Sequence, residues 1–145
     1  MRETLANVGL LWLRALTGAG LMIHGWFNLT GGVDVWASKA VEPLGFPMPL
    51  LLAWIVIAAE VIGGFFFILG LWTRIAAVPV MFAMAVAAFG RHAADPIVAA
   101  EKSSKELALL YLVAAGAVLL VGPGRFSVDA SRGGGAKSPA KKAKR

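Results

Sequence analysis

The chain carries one carboxylate, Glu60, near the middle of an otherwise uncharged run from Pro49 to Leu71. At about 1.5 Å per helical residue, that run is long enough to cross a bilayer core of about 30 Å. An ionised Glu at mid-membrane depth is costly unless it is paired, protonated or turned towards a polar cavity. Gly63 and Gly64 follow three and four residues later, on the same helical face. Small residues beside a carboxylate allow a second helix to approach closely. The run is therefore expected to face protein rather than lipid, and another span must supply what meets Glu60.

The rest of the sequence supports a membrane setting. Of 145 residues, 59% are hydrophobic, and the mean hydropathy is +0.76. That balance belongs to a polytopic membrane protein and not to a soluble domain. There is no Cys, which excludes thiol catalysis, disulfides and cysteine-held iron–sulfur clusters within this chain. The net charge of +6 is concentrated at Lys137, Lys141, Lys142, Lys144 and Arg145. This tail has no aromatic residue on which a base could stack, so no nucleic-acid partner is expected.

Breakers and apolar runs predict an all-α fold, a four-helix transmembrane bundle over residues 1–130. Its spans are read at about 8–27, 49–71, 75–91 and 105–121. A cleaved signal peptide does not fit the first span, whose apolar stretch is too long and ends in a poor cleavage site. Val33 to Val41, with Trp36, suits a short amphipathic turn at the interface, and Pro79 is read into the first turn of the third span. Ser103 or Ser104 is expected to cap the fourth helix. Residues 131–145, low in complexity and rich in Gly and Lys, are expected to form a disordered basic tail. Four spans put both termini on one side. Nine basic residues fall there and four opposite, leaving Arg14 inside the first span. The positive-inside rule then makes both termini cytoplasmic, in the inner membrane of a bacterium.

Three groups of residues carry a family resemblance. The first is Arg14 in a span ending His24-Gly-Trp-Phe-Asn28. The second is Ala59-Glu60-Val-Ile-Gly63-Gly64 followed by Gly70-Leu-Trp-Thr-Arg74. The third is Glu106-Leu-Ala-Leu-Leu-Tyr111 leading to Gly122-Pro-Gly-Arg-Phe-Ser-Val-Asp129. Together they resemble the DoxX family of small bacterial membrane proteins over roughly residues 8–129. The resemblance implies a four-helix membrane bundle and association with redox protein partners, as a subunit of a membrane oxidoreductase or a quinone-linked respiratory complex. A non-catalytic scaffold or assembly partner is the alternative.

Two site readings follow from the residues. Depths counted from Leu5 and Leu71 bring Arg14 level with Glu60, so the two are expected to form a buried ion pair. At the other end of the bundle, His24, Asn28, His92 and Glu106 sit at one depth on three spans and are expected to line a common cavity. A quinone headgroup could take hydrogen bonds from His24 and His92. Two histidines could also ligate haem, and His with carboxylates could hold a metal. The alternative is that these are polar residues at a water interface, with Glu106 favouring a helix N-terminus.

Overall fold

The computed structural model describes residues 1–99 and 103–134. Those residues contain five α-helices and no strand: α1 Arg2–Thr30, α2 Val33–Ala40, α3 Pro49–Leu69, α4 Thr73–Val86 and α5 Glu106–Val121. A 3-10 turn, Glu42–Leu44, follows α2, and a π-helical turn, Ala87–Arg91, extends α4. α1, α3 and α4 with its extension are long and apolar enough to cross a membrane; α5 is a shorter apolar helix. The protein is a membrane bundle of these four helices, with α2 lying between α1 and α3.

Helix lengths follow from the breakers. α1 meets none before Gly31-Gly32, so its 29 residues outrun the expected span at both ends. α3 starts on Pro49, whose missing N–H costs nothing in a first turn, and stops at Gly70, with φ of 65°. α4 begins at Thr73, which puts Pro79 inside the helix rather than in its first turn. α5 starts at Glu106 with no side-chain cap; Ser103 donates its hydroxyl to Asp95 instead (2.8 Å). Where a short amphipathic turn is expected, α2 is an eight-residue helix, and it buries Val33, Ala37 and Ala40 against Ala53 and Ile57 of α3. The main core is made by Leu21, Phe67 and the α4 and α5 faces of Val80, Met84, Ala115 and Val118. Residues 135–145, which include most of the expected basic tail, lie outside the described residues, as does Glu101.

The α1–α3 register decides where the buried charges go. A Cβ on Gly18 would collide with the Gly64 carbonyl, and one on Gly64 would come within 2.6 Å of the Gly18 carbonyl. The two backbones therefore touch at these glycines. Counted from that contact, Leu71 stands opposite Leu11, not Leu5. The depth count from Leu5 and Leu71 is thus wrong, and Arg14 and Glu60 do not pair. Arg14, 1% exposed, lies against the C-terminal end of α3. It donates to the carbonyls of Phe67 and Ile68 (3.2 Å each) and to that of Phe126. The Phe67 carbonyl also accepts from the Gly70 N–H (3.2 Å), and the carbonyls at this end of α3 carry the negative end of the helix dipole. The cation is met by a helix terminus instead of a carboxylate.

The segment after α5 completes this end of the bundle. Asp129 accepts hydrogen bonds from the N–H groups of Trp72 (2.8 Å) and Thr73 (2.9 Å) and from the Thr73 hydroxyl (2.8 Å). It is an N-cap for α4 supplied from a distant part of the chain. The Asp129 N–H donates to the Gly70 carbonyl (2.9 Å), and the Arg125 N–H to the Asn7 side chain (2.7 Å). Trp72 takes a left-handed φ of 44°, costly for a non-glycine residue. Asp129 and an edge-on contact with Phe66, at 5.9 Å between ring centroids, hold it there. Gly70 could carry no side chain, because a Cβ there would run into the Arg14 guanidinium and Ser127.

Candidate functional site at the far end of the bundle

At the end away from the termini, the helices enclose a cavity of about 580 Å³. Its floor is polar. Glu60, 2% exposed, accepts from His24 Nδ1 (3.0 Å) and from Asn28 Nδ2 (3.1 Å). His24 and Asn28 lie one turn apart on α1, so both reach the same carboxylate on α3. The close approach depends on Gly25, where a Cβ would come within 2.9 Å of the Glu60 Cβ. The span carrying Glu60 thus finds its partners at the far end of α1. With Nδ1 engaged by the carboxylate, the other ring nitrogen of His24 is left to bind something else, and the ring is 47% exposed.

The walls are apolar: Trp36 and Val41 from α2 and its end, Leu52 and Val56 from α3, Phe82 and Met84 from α4, and Leu107 and Ala108 from α5. Trp36 faces this cavity; it is not simply an interface anchor. Tyr111 of α5 also lines it, and its hydroxyl packs against Gly20 of α1. Arg91, His92, Ser103 and Ser104 ring the water side. His92 donates from Nδ1 to Asp95 Oδ2 (2.7 Å). Together with the Ser103 hydroxyl, this holds the Asp95 carboxyl below its usual range. Two carboxylate–imidazole pairs thus meet the cavity, Glu60–His24 at its floor and Asp95–His92, through the His92 ring, at its rim.

His24, Asn28, His92 and Glu60 all line this cavity, whereas Glu106 does not. Glu106 is exposed in the first turn of α5, because the cavity face of that helix runs through Leu107, Ala108 and Tyr111. There it can favour the positive end of the helix dipole. Among the described residues no three His, Asp, Glu or Cys gather to hold a metal ion. Sequence reasoning missed Arg91 and Tyr111 at this cavity. Tyr111 is the chain's single Tyr, and a lone hydroxyl in an apolar span was the available signal.

The DoxX family model matches residues 9–93, more than half of the chain. The chain belongs to the DoxX family. The matched segment contains Arg14, the His24–Asn28–Glu60 cluster and His92. Tyr111 and the Gly122–Asp129 segment lie beyond the matched residues. No curated protein matches the chain, and no solved structure does.

Proposed function

We propose that this DoxX-family membrane protein is a subunit of a membrane-associated oxidoreductase or quinone-linked respiratory complex, and that the far-end cavity takes the quinone headgroup. One observation carries this reading: a buried carboxylate, Glu60, holds a His24 ring at the floor of an otherwise apolar cavity. About 580 Å³ is the size of an ordinary small-ligand site, and an apolar wall with a few convergent polar groups is its usual composition. A ring with two polar oxygens fits such walls. His24 can donate to a quinone oxygen when protonated or accept from a quinol hydroxyl when neutral. Glu60 stabilises the imidazolium, and Asn28 keeps the carboxylate oriented. Tyr111 and His92 offer further hydrogen-bonding groups. The electrons are exchanged with a redox partner protein.

In this reading both termini are cytoplasmic in a bacterial inner membrane, on the strength of the nine-to-four split of basic residues. The cavity then opens near the outer face. The scaffold reading draws support from Arg14, whose bonds all go to backbone carbonyls that end or join helices.

Equilibrium binding of a short-chain benzoquinone to the detergent-solubilised protein tests the proposal. His24→Leu and Glu60→Gln should each weaken binding about tenfold or more, the scale of one buried hydrogen bond to a charged group. Unchanged binding in both variants, or none in the wild type, would leave the scaffold reading standing.

A further inference from the structure

A second hollow, of about 370 Å³, lies beside the cavity on the outer surface of the bundle. It is lined by Leu44, Phe46, Phe82, Ala85, Val86 and Phe89, with Gly90 at its end, and so has no ionisable side chain on its walls. Leu44, Phe46, Phe82 and Val86 line both spaces. The two are therefore neighbours sharing one wall, and Phe82 (72% exposed) and Phe46 (43% exposed) are that wall's exposed side chains. Phe82 and Phe89 stand on the apolar α4 and its extension, which suit the hydrocarbon of a bilayer. The cavity thus has two rims of opposite character: Arg91, His92, Ser103 and Ser104 towards water, and phenylalanines towards lipid.

Resting on the quinone reading above, we infer that the ligand is a lipid-borne molecule whose ring sits at His24 and Glu60 and whose hydrocarbon chain lies in the Leu44–Phe89 hollow, so that it arrives sideways from the bilayer. The four side chains that line both spaces, Leu44, Phe46, Phe82 and Val86, carry this. A water-soluble ligand would need only the polar rim; an apolar hollow just across the shared wall is suited to a chain attached to the headgroup. Gly90 keeps the end of the hollow open, since a Cβ there would already reach van der Waals contact with Leu44 at 3.5 Å.

The test uses a benzoquinone bearing a long saturated chain that ends in a photoreactive diazirine, with the full-length protein in nanodiscs. The label should fall on residues between Phe82 and Phe89, and excess short-chain benzoquinone, which carries the headgroup alone, should abolish it. Gly90→Leu, which fills the hollow, should move the label elsewhere while short-chain binding stays as in the wild type. Equal labelling of the same residues by a headless diazirine fatty acid, untouched by the short-chain competitor, would mean that ordinary lipid covers the hollow and would overturn the inference. If the short-chain quinone binds but the label lies elsewhere, the inference also fails while the headgroup site stands. If the short-chain quinone does not bind at all, both readings fall together.

Discussion

Arg14 and Glu60 are the two buried charges of the spans, and each has found a different solution. Arg14 is stabilised by the carbonyl end of α3 and Glu60 by two donors from α1. They share no partner, so their contributions should add. Arg14→Met leaves the carbonyls of Ile68 and Phe126 without their donor and that of Phe67 with the Gly70 N–H alone, and should cost on the order of 3 kcal/mol. In a double-mutant cycle with Glu60→Gln, read by chemical unfolding in detergent, the coupling should stay within about 0.5 kcal/mol; a larger value would mean that the residues communicate after all. Asp129 makes a pH prediction. Burial works against its charge, but the Thr73 N–H and hydroxyl and the Trp72 N–H outweigh it, and the carboxyl is held below its usual range. A carboxylate lowered in the fold stabilises it above the unfolded value of about 3.9 and loses that contribution as pH falls through the lower folded value. Thermal stability should therefore drop on acidification below about pH 4, and Asp129→Asn should start lower, by about 1 kcal/mol, and lose part of that acid dependence. An equal acid response in the variant would assign the effect to other groups.

At the scale of helices, what the sequence made legible was the set of elements and not their register. Apolar runs and Pro or Gly breakers mark every span, and the amphipathic turn expected over Val33 to Val41 is the helix Val33–Ala40. His24, Asn28, His92 and Glu60 are each legible as unusual polar residues, because a membrane span tolerates few of them. Their grouping was not legible. Sliding α1 along α3 changes which residues meet without changing the composition of either, and the close contacts of Gly18 with Gly64 and of Gly25 with Glu60 fix it. The same holds for the helix ends: none of the five α-helices has a side-chain cap bond from its own capping residue. Arg14 serves α3, Asp129 serves α4, and Arg74 reaches the Leu120 carbonyl in the last turn of α5 (3.4 Å). Such caps leave no local signature such as Ser or Asp before an apolar run. The register argument predicts that Gly64→Leu forces α1 and α3 apart, at a cost of about 1–3 kcal/mol or more. It should lower the melting temperature and weaken the proposed quinone binding together, since Glu60 moves with α3. A variant that melts like the wild type would disprove the close contact.

For the molecule as a whole, the two ends of the bundle do different jobs. One end is tied shut by Arg14, Asn7 and Asp129; the other is hollow and holds the polar cluster. The orientation proposed from the basic residues can be checked directly. Reporter fusions after Pro96 and at Arg145 should report opposite sides of the membrane, with the second cytoplasmic. Agreement between the two fusions would remove the four-span topology. The tied end also imposes an order on biosynthesis. Asp129 lies 57 residues beyond the Trp72 N–H that it caps. At about 5–20 residues per second, the ribosome reaches it roughly 3–11 s later. Until then the first N–H groups of α4 lack the Asp129 cap, and Arg14 lacks the Phe126 carbonyl until that residue is made. The α3–α4 hairpin is therefore provisional until the last turns of the fold are made, and a ribosome stalled before Asp129 leaves behind a chain whose central hairpin is marked, by its open helix ends, as unfinished.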